Sequence, residues 1–536
     1  MRFHVLGLGS IGTFLAHHLR QSLRTDAAGR GSTAAASQAA ATTPNAHWLP
    51  YLAPDPTGVS ITLQISSQAK AANFCGTLVE HAGTKTYVGP DQYRIEAQGL
   101  GEIVPDAISG THRTRRIPDF TDAYQERSIS LPPTRDGPSM VQQLGFTDRS
   151  DAIDSLLVTT KADRALDAVR PLAPRLTPAT TIVLLQNGMG VVDELVDGIW
   201  PDERQRPRFV LGNVTHGCWS KRPFQSVHAG LGSIFLGLPP YTLSSLAHDN
   251  GSDGATNVSA IHSLSPSADT SAPEPAQLAQ SPLHLSLLYT LSTLLTIPAL
   301  DARLEPTYQA YLARALQKLA VNACINPLTA ILDCKNGALL GDRCAEGIWN
   351  DVLHEASSVF LALATSGSDA ASLSPTDSRH GRPNIAEWSH LIQRPLVSRS
   401  GSPGQPEQGA RPVLDASLTP PALLQLVRTV ARATSANFSS MHRDLLFPST
   451  QRPNRLSYGK ALRRPLSPRM STEMPYLNGW LAKRGRELGV RTDVNDTLVR
   501  LIGSLCSLGE RHHNLNGVAI KKGMRQLAQR LGEPPE

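Results

Sequence analysis

A strand-like run followed at once by a glycine-rich turn opens the chain, and that turn constrains the fold more than any other feature. Phe3-His4-Val5-Leu6 leads into Gly7-Leu8-Gly9-Ser10-Ile11-Gly12, and Gly12–Gln21 continues with helical spacing. In a G-x-G-x-x-G turn each glycine has its own task. Gly7 permits the tight turn, Gly9 lets the backbone approach a pyrophosphate, and Gly12 lets the helix close on the strand. Leu8, Ser10 and Ile11 lie in the same turn, where N–H groups at the start of a helix hold phosphates. As a bare pattern this is a tight turn; between a strand and a helix it predicts a dinucleotide site.

The segments after the turn fit an α/β domain. Arg2–Leu6, Val59–Ile65, Leu156–Thr160, Thr181–Leu185 and Phe209–Leu211 read as buried strands, and Gly12–Gln21 and Asp163–Leu172 as helices, which implies parallel strands joined by crossovers. From Leu283 onward the spacing is helical. The expectation is a Rossmann-type parallel-sheet domain over 1–240, a linker over 241–282, and an all-α domain over 283–536. Pro327 is expected to interrupt the helix that precedes it.

Tracts at about 24–56, 113–148, 241–282, 366–420 and 447–470 are rich in Ser, Pro, Ala or Arg and bury too little apolar surface to pack, so they read as insertions. They lower the apolar share of the 536 residues to 40% and the aromatic share to 5%. Lys and Arg number 51 against 45 Asp and Glu; a net charge of +6 on so long a chain does not point to nucleic acid. The most apolar stretch, Leu285–Leu300, carries Ser286, Tyr289, Thr290 and Pro298, so no spanning helix is expected. Six scattered cysteines without a C-x-x-C pair suggest neither a disulfide framework nor a metal site.

Several polar residues stand where a bland core would not choose them. After the second strand come Ser66, Ser67 and Lys70 with no carboxylate, which points to NADP rather than NAD. Lys161 and Asn187 follow two further strands, at the sheet edge where open α/β folds bind ligands. Lys318, Asn322 and Asn326 fall within a roughly 80° arc of one helix. An ordinary solvated face would carry Glu/Lys pairs. Two asparagines, each costing about 0.6 kcal/mol against alanine, look instead like donors for a polar ligand. Glu473 opens a later helix, where the plain alternative is a first-turn carboxylate favoured by the helix dipole.

Taken in order, these segments resemble the ketopantoate reductase (2-dehydropantoate 2-reductase) family. The resemblance rests on Gly7–Gly12, Thr160-Lys161-Ala162, Gln186-Asn187-Gly188-Met189-Gly190, His228-Ala229-Gly230 and the run Lys318–Ala330. It continues through Cys334-Lys335-Asn336-Gly337, Ser439-Ser440-Met441-His442-Arg443-Asp444 and Thr472–Gly479. It implies NADPH as cofactor and ketopantoate as substrate, within the pantothenate route to coenzyme A. By the same resemblance Lys318 is the general acid, Asn322, Asn326, Asn336 and Ser440 hold the substrate, and Asn187 lies where substrate and nicotinamide meet. Ala229 and Glu473 line the cofactor site. Three departures stand out: Ser66 and Ser67 replace an arginine, Arg443 replaces the usual glutamine, and a long stretch separates Asp444 from Glu473.

Two other readings stay open: a reductase of this fold for another 2-keto acid, and a non-catalytic relative acting as a binding or mitochondrial translation factor. Loss of Lys318 or the glycine turn would favour the latter, and neither is lost. The expected location is the cytoplasm, with mitochondria as the second reading because no acid precedes Asp26. The expected partner is a small 2-keto acid, without nucleic acid or membrane; a homodimer is left open.

Overall fold

The computed structural model describes residues 1–28, 59–66, 68–71, 73–97, 101–103, 152–242, 282–366, 392–393, 413–446 and 472–508. Most of the expected insertions, all of 113–148 among them, lie outside the described residues, as does Ser67. The chain divides into two compact units. One comprises Met1–Thr160, Ala168–Leu185 and Arg204–Pro306; the other Lys161–Asp167, Gln186–Glu203 and Thr307–Glu536.

The first unit is built from β1 (Arg2–Leu6), β2 (Ser60–Ile65), β3 (Thr77–His81), β4 (Thr84–Val88), β5 (Arg94–Ala97), β6 (Gly101–Ile103) and β7 (Ser155–Val158). It continues with β8 (Thr181–Leu184), β9 (Arg208–Val214), β10 (Gly217–Arg222), β11 (Gln225–Gly230), β12 (Ile234–Gly237) and β13 (Ala302–Leu304). Nine of them form a sheet in the order β13-β12-β9-β8-β7-β1-β2-β5-β6. From β9 to β5 every pairing is parallel. Phe3, Val5, Leu63, Leu157 and Val183 are fully buried, as central parallel strands covered on both faces require. The order reverses at β1, between β2 and β7, so the glycine turn leaves the sheet at its topological switch point.

A second sheet, β10-β11-β3-β4, packs on the Ser10–Ala28 helix and is absent from the sequence reading. Its β3–β4 hairpin turns on Ala82 and Gly83 with φ of 47° and 82°, a primed turn made without the usual Asn-Gly pair. The other correction concerns the boundary. The Pro282–Thr296 helix and β13 belong to the sheet unit, and the second unit resumes at Thr307 rather than 283. The reason is burial: nearly every residue of this helix from Leu285 to Leu294 is covered. Two of its hydroxyls match the sheet. Ser286 Oγ donates to the Asp154 carbonyl at 2.8 Å, and Thr290 Oγ1 donates to Ser155 Oγ at 3.0 Å.

Histidines collect where the helix meets the small sheet. His17 is held between Thr77 and Thr86 hydroxyls at 3.1 and 2.8 Å. His216 Nε2 faces the Leu300 carbonyl at 2.8 Å and so carries the ring proton, leaving Nδ1 to accept from His228 Nε2 at 3.0 Å. His18 packs edge-on against Phe14 and His17. Burial, then the neighbouring imidazoles, push His17 down to about 3 and His18 and His228 to about 4. Because each folded value lies below the unfolded one of about 6.5, the stability these neutral rings contribute is complete above pH 6.5 and is lost as pH falls towards 4. His18→Phe keeps the packing but cannot take a proton. Its stability relative to the wild type, followed by melting temperature, should rise as pH falls from about 6.5 to 5, by up to about 1.4 kcal/mol per pH unit. A difference that stays constant with pH would contradict the assignment.

The described part of the second unit is helical apart from one two-residue ladder, Ile392–Gln393 with Val413–Leu414. No described helix is long and apolar enough to cross a membrane, and all six cysteines are free thiols. At the centre runs the Tyr308–Leu332 helix, packed against Arg343–Thr365 and Pro420–Ala433 through Leu316, Leu319, Val352, Phe360 and Val427. It does not stop at Pro327, contrary to the sequence expectation. A proline there removes the bond to the carbonyl of Ala323. Asn478 Nδ2 supplies the missing donor at 3.1 Å, and Trp349 Nε1 donates to the next carbonyl, Cys324, also at 3.1 Å. Asn478→Ala should therefore lower stability by about 1–3 kcal/mol, the cost of a buried unmade bond. In a Pro327→Ala background, where the backbone N–H returns, the same substitution should cost measurably less; equal losses in chemical denaturation would refute the pairing.

Candidate active site

The glycine turn is shaped as its sequence requires. Gly7 has φ of +96°, and a Cβ there would meet the Thr160 backbone nitrogen at 2.5 Å. A Cβ on Gly12 would run into the Gly7 carbonyl and the Thr159 hydroxyl, whereas one on Gly9 meets nothing within 4 Å. Thr159 Oγ1 donates to the Gly7 carbonyl at 2.5 Å, with the Leu6 carbonyl 3.1 Å away, and clamps the turn to β7, a contact the sequence reading missed. The first turn of the Ser10–Ala28 helix has N–H groups without intrahelical partners. Open space over Gly9 beside those donors fits a dinucleotide pyrophosphate. At the end of β2, exposed Lys70 donates to exposed Ser66 at 3.0 Å, and Ala229 lies exposed in β11.

The second unit gathers most of the other expected residues. Lys318, Asn322 and Asn326 are spaced four apart on the Tyr308–Leu332 helix, so they share one face. Lys318 and Asn322 are half-buried and Asn326 is buried. Asn326 Nδ2 points to Ser440 Oγ at 3.5 Å. Glu473 is buried and accepts a hydrogen bond from Asn187 Nδ2 at 3.0 Å. Asn187 is presented by a turn in which Gly188 (φ +87°) lies hard against the Tyr476 backbone, tied there by Met189 N–H to the Tyr476 carbonyl at 2.9 Å. Lys161 forms an ion pair with Asp444 at 2.5 Å.

Electrostatics couples these groups. Burial pushes Lys318 down to about 8, opposed by the negative charge of Glu473. Burial pushes Glu473 up to about 7, with Asn187 pulling it down, Asp444 pushing it up, and Lys161 and Lys318 pulling it down. At neutral pH the arrangement presents an ammonium that can surrender its proton, beside a carboxyl able to exist in either form. With the aligned amides it suits proton delivery to an oxygen on which negative charge develops.

Asn336 is the exception. It is buried in a short turn, where one N–H of its Nδ2 donates to Thr434 Oγ1 at 2.8 Å and its Oδ1 is buried without a hydrogen-bond partner. Asp444 is the residue whose place the sequence reading left without a role. The available signal was its spacing of four from Ser440, which puts both on one side of the Ser440–Leu446 helix.

Two family models match the chain: "Ketopantoate reductase PanE/ApbA" over residues 120–240 and "Ketopantoate reductase PanE/ApbA C terminal" over 310–447. A probable 2-dehydropantoate 2-reductase of Schizosaccharomyces pombe is 29% identical over 210 residues, covering 39% of this chain and 51% of the relative. The 2-dehydropantoate 2-reductase of Vibrio cholerae is 25% identical over 355 residues, covering 66% and 77%. A ketoisovalerate reductase of Beauveria bassiana is 24% identical over 221 residues, covering 40% and 41%. The chain spans about half the length of the fungal relatives it matches.

The glycines make separable predictions. Gly9→Ala should melt like the wild type yet bind a nicotinamide dinucleotide at least tenfold more weakly, because its methyl enters space left for the ligand. Gly12→Ala should lose melting temperature as well as binding. Unchanged binding in Gly9→Ala, measured by quenching of tryptophan fluorescence, would remove the phosphate site from this turn.

Proposed function

Because the chain belongs to the ketopantoate reductase family, a family of oxidoreductases, we propose that it reduces 2-dehydropantoate to pantoate with NADPH, in the pantothenate route to coenzyme A. The observation that carries the reading is the half-buried Lys318, aligned with Asn322 and Asn326 and within the electrostatic reach of the buried carboxyl of Glu473. In this proposal Gly7–Gly12 hold the pyrophosphate, with Ser66 and Lys70 at the adenosine ribose and Lys161, Ala229 and Glu473 as further cofactor contacts. A bound reduced nicotinamide supplies the hydride. Asn322, Asn326 and Ser440 orient the substrate's carboxylate and hydroxyl, and Asn187 orients the keto group. As the carbonyl carbon gains the hydride, the carbonyl π electrons move to oxygen, and that oxygen takes a proton from the Lys318 ammonium.

Glu473 gives that proton its setting: ionised, it keeps Lys318 charged; protonated, it lets an anionic substrate be the lysine's counter-ion. Asn336 keeps one N–H on Thr434, and in this proposal its second N–H and its Oδ1 are what it offers the substrate. A second reading keeps the mechanism and changes the substrate to a smaller 2-keto acid, supported by the similarity to a ketoisovalerate reductase. Site and chemistry would be shared, and pocket shape would decide.

NADPH consumption with ketopantoate tests the first reading, and ketoisovalerate in parallel tests the second. Lys318→Ala should lower kcat by about 10²–10⁴-fold with both folding and cofactor binding retained. Activity needs the protonated lysine, so kcat should be level below pH 8 and fall as pH rises above it. Glu473→Gln removes the negative charge that keeps the proton on Lys318, and should move that alkaline limb to lower pH. A limb that does not move, or an active Lys318→Ala, would assign the proton to another group.

A further inference from the structure

The Lys161–Asp444 pair joins segments far apart in sequence: the stretch after β7 and the last turn of a short helix that begins with Ser440. The lysine side chain keeps 37% of its exposure and the aspartate 18%, so the carboxylate is the fixed partner and the ammonium the presented one. Residues four apart on a helix point the same way. The Ser440–Leu446 helix therefore sets a fixed spacing between Ser440, which faces Asn326, and Asp444, which faces Lys161. A lysine carries three donors on a flexible four-carbon stem. One bond to Asp444 leaves two donors and removes most of the stem's freedom before any ligand arrives.

We propose that Asp444 is a positioning residue: it holds the Lys161 ammonium in a preset place, at a fixed spacing from Ser440, ready for an anionic group of the nicotinamide dinucleotide. This rests on the proposed role of Lys161 as a cofactor contact. Asp444 also acts on Glu473. The charged groups around Glu473 are Asp444, Lys161 and Lys318, with Asn187 as hydrogen-bond donor; those around Asp444 are Lys161 and Asp163. With Asp444 neutralised, Lys161 loses its present partner, Glu473 loses a like charge, and the glutamate ionises more readily.

The test is NADPH affinity by fluorescence titration on the full chain, which needs no substrate. Asp444→Ala should raise Kd roughly three- to tenfold, the ordering cost of one long side chain, with the melting temperature as a folding check. Asp444→Asn, which still offers an oxygen to the ammonium, should fall between Asp444→Ala and the wild type. In a Lys161→Met background, Asp444→Ala should add nothing. The pH dependence gives a readout that simple structural damage would not move. Wild-type affinity should weaken as pH rises through about 7, where Glu473 ionises, and in Asp444→Asn that transition should lie at lower pH. Tighter binding by Asp444→Ala would mean that Asp444 restrains Lys161 rather than presents it, and would overturn the proposal. So would full additivity with Lys161→Met, or an unmoved pH transition. Failure to turn over ketopantoate while NADPH still binds would defeat the reductase reading and leave this one standing; no NADPH binding by the wild type would defeat both.

Discussion

The carbonyl of Ala323 has no helical donor, because the residue four positions on is Pro327, and the second unit is arranged around answering it. Left alone in a buried helix, such a carbonyl costs about 1–3 kcal/mol and the proline ring bends the chain away. The side chain of Asn478 makes the bond instead, and the helix continues to Leu332. One short turn, Met474–Tyr476, separates Asn478 from Glu473. The same hydrogen bond therefore serves two ends: it keeps Asn326 in line with Lys318, and it ties the Glu473 segment to the helix that Lys318 belongs to. The geometry of the charged groups follows from a backbone requirement.

Once placed, those groups govern one another. Two ammonium groups, Lys161 and Lys318, share a site with two carboxyls, Asp444 and Glu473. Burial drives Lys318 down and the two acids up. Each acid has a named partner that opposes the effect of burial. Lys161 has Asp444 at 2.5 Å, while Glu473 has a neutral donor, Asn187, at 3.0 Å and stays near the middle of its titration. A fixed ion pair beside a poised one is a sound division for a site that must hold one anion and move one proton.

How much of this was legible in the sequence depends on the range of the interaction involved. The glycine turn, the strands beside it and the lysine–asparagine face were readable because each is specified by local spacing. The small sheet was not: its hairpin uses Ala82 where a stronger signal would be asparagine, and two of its strands, β10 and β11, are more than a hundred residues from the others. The domain boundary was misread because a Leu-rich helix looks alike whether helices or a sheet cover it; Ser286 and Thr290 were the evidence, as hydroxyls matched to strand ends. Pro327 was misread because its remedy lies in Asn478, far along the chain. Asp444 was visible only as part of a motif, since its meaning lies in a contact with Lys161.

The proposed preference for NADPH draws on the same distinction between a residue and what it is paired with. In the sequence no carboxylate follows directly after β2. Yet Glu96, on β5, is registered opposite Gln64 of β2, and a free carboxylate there would favour a ribose hydroxyl over a phosphate. It is not free. Arg175 binds both of its oxygens, at 2.6 and 3.1 Å, and Gln64 Nε2 donates to it at 2.6 Å. Those bonds hold it below the usual carboxylate range despite burial, so the charge is spent within the sheet. Among the described residues, the end of β2 offers to solvent the Ser66 hydroxyl and the Lys70 ammonium, a pair suited to a 2′-phosphate. An absent acid and a neutralised one have the same consequence there, and Arg175 is what makes them equivalent.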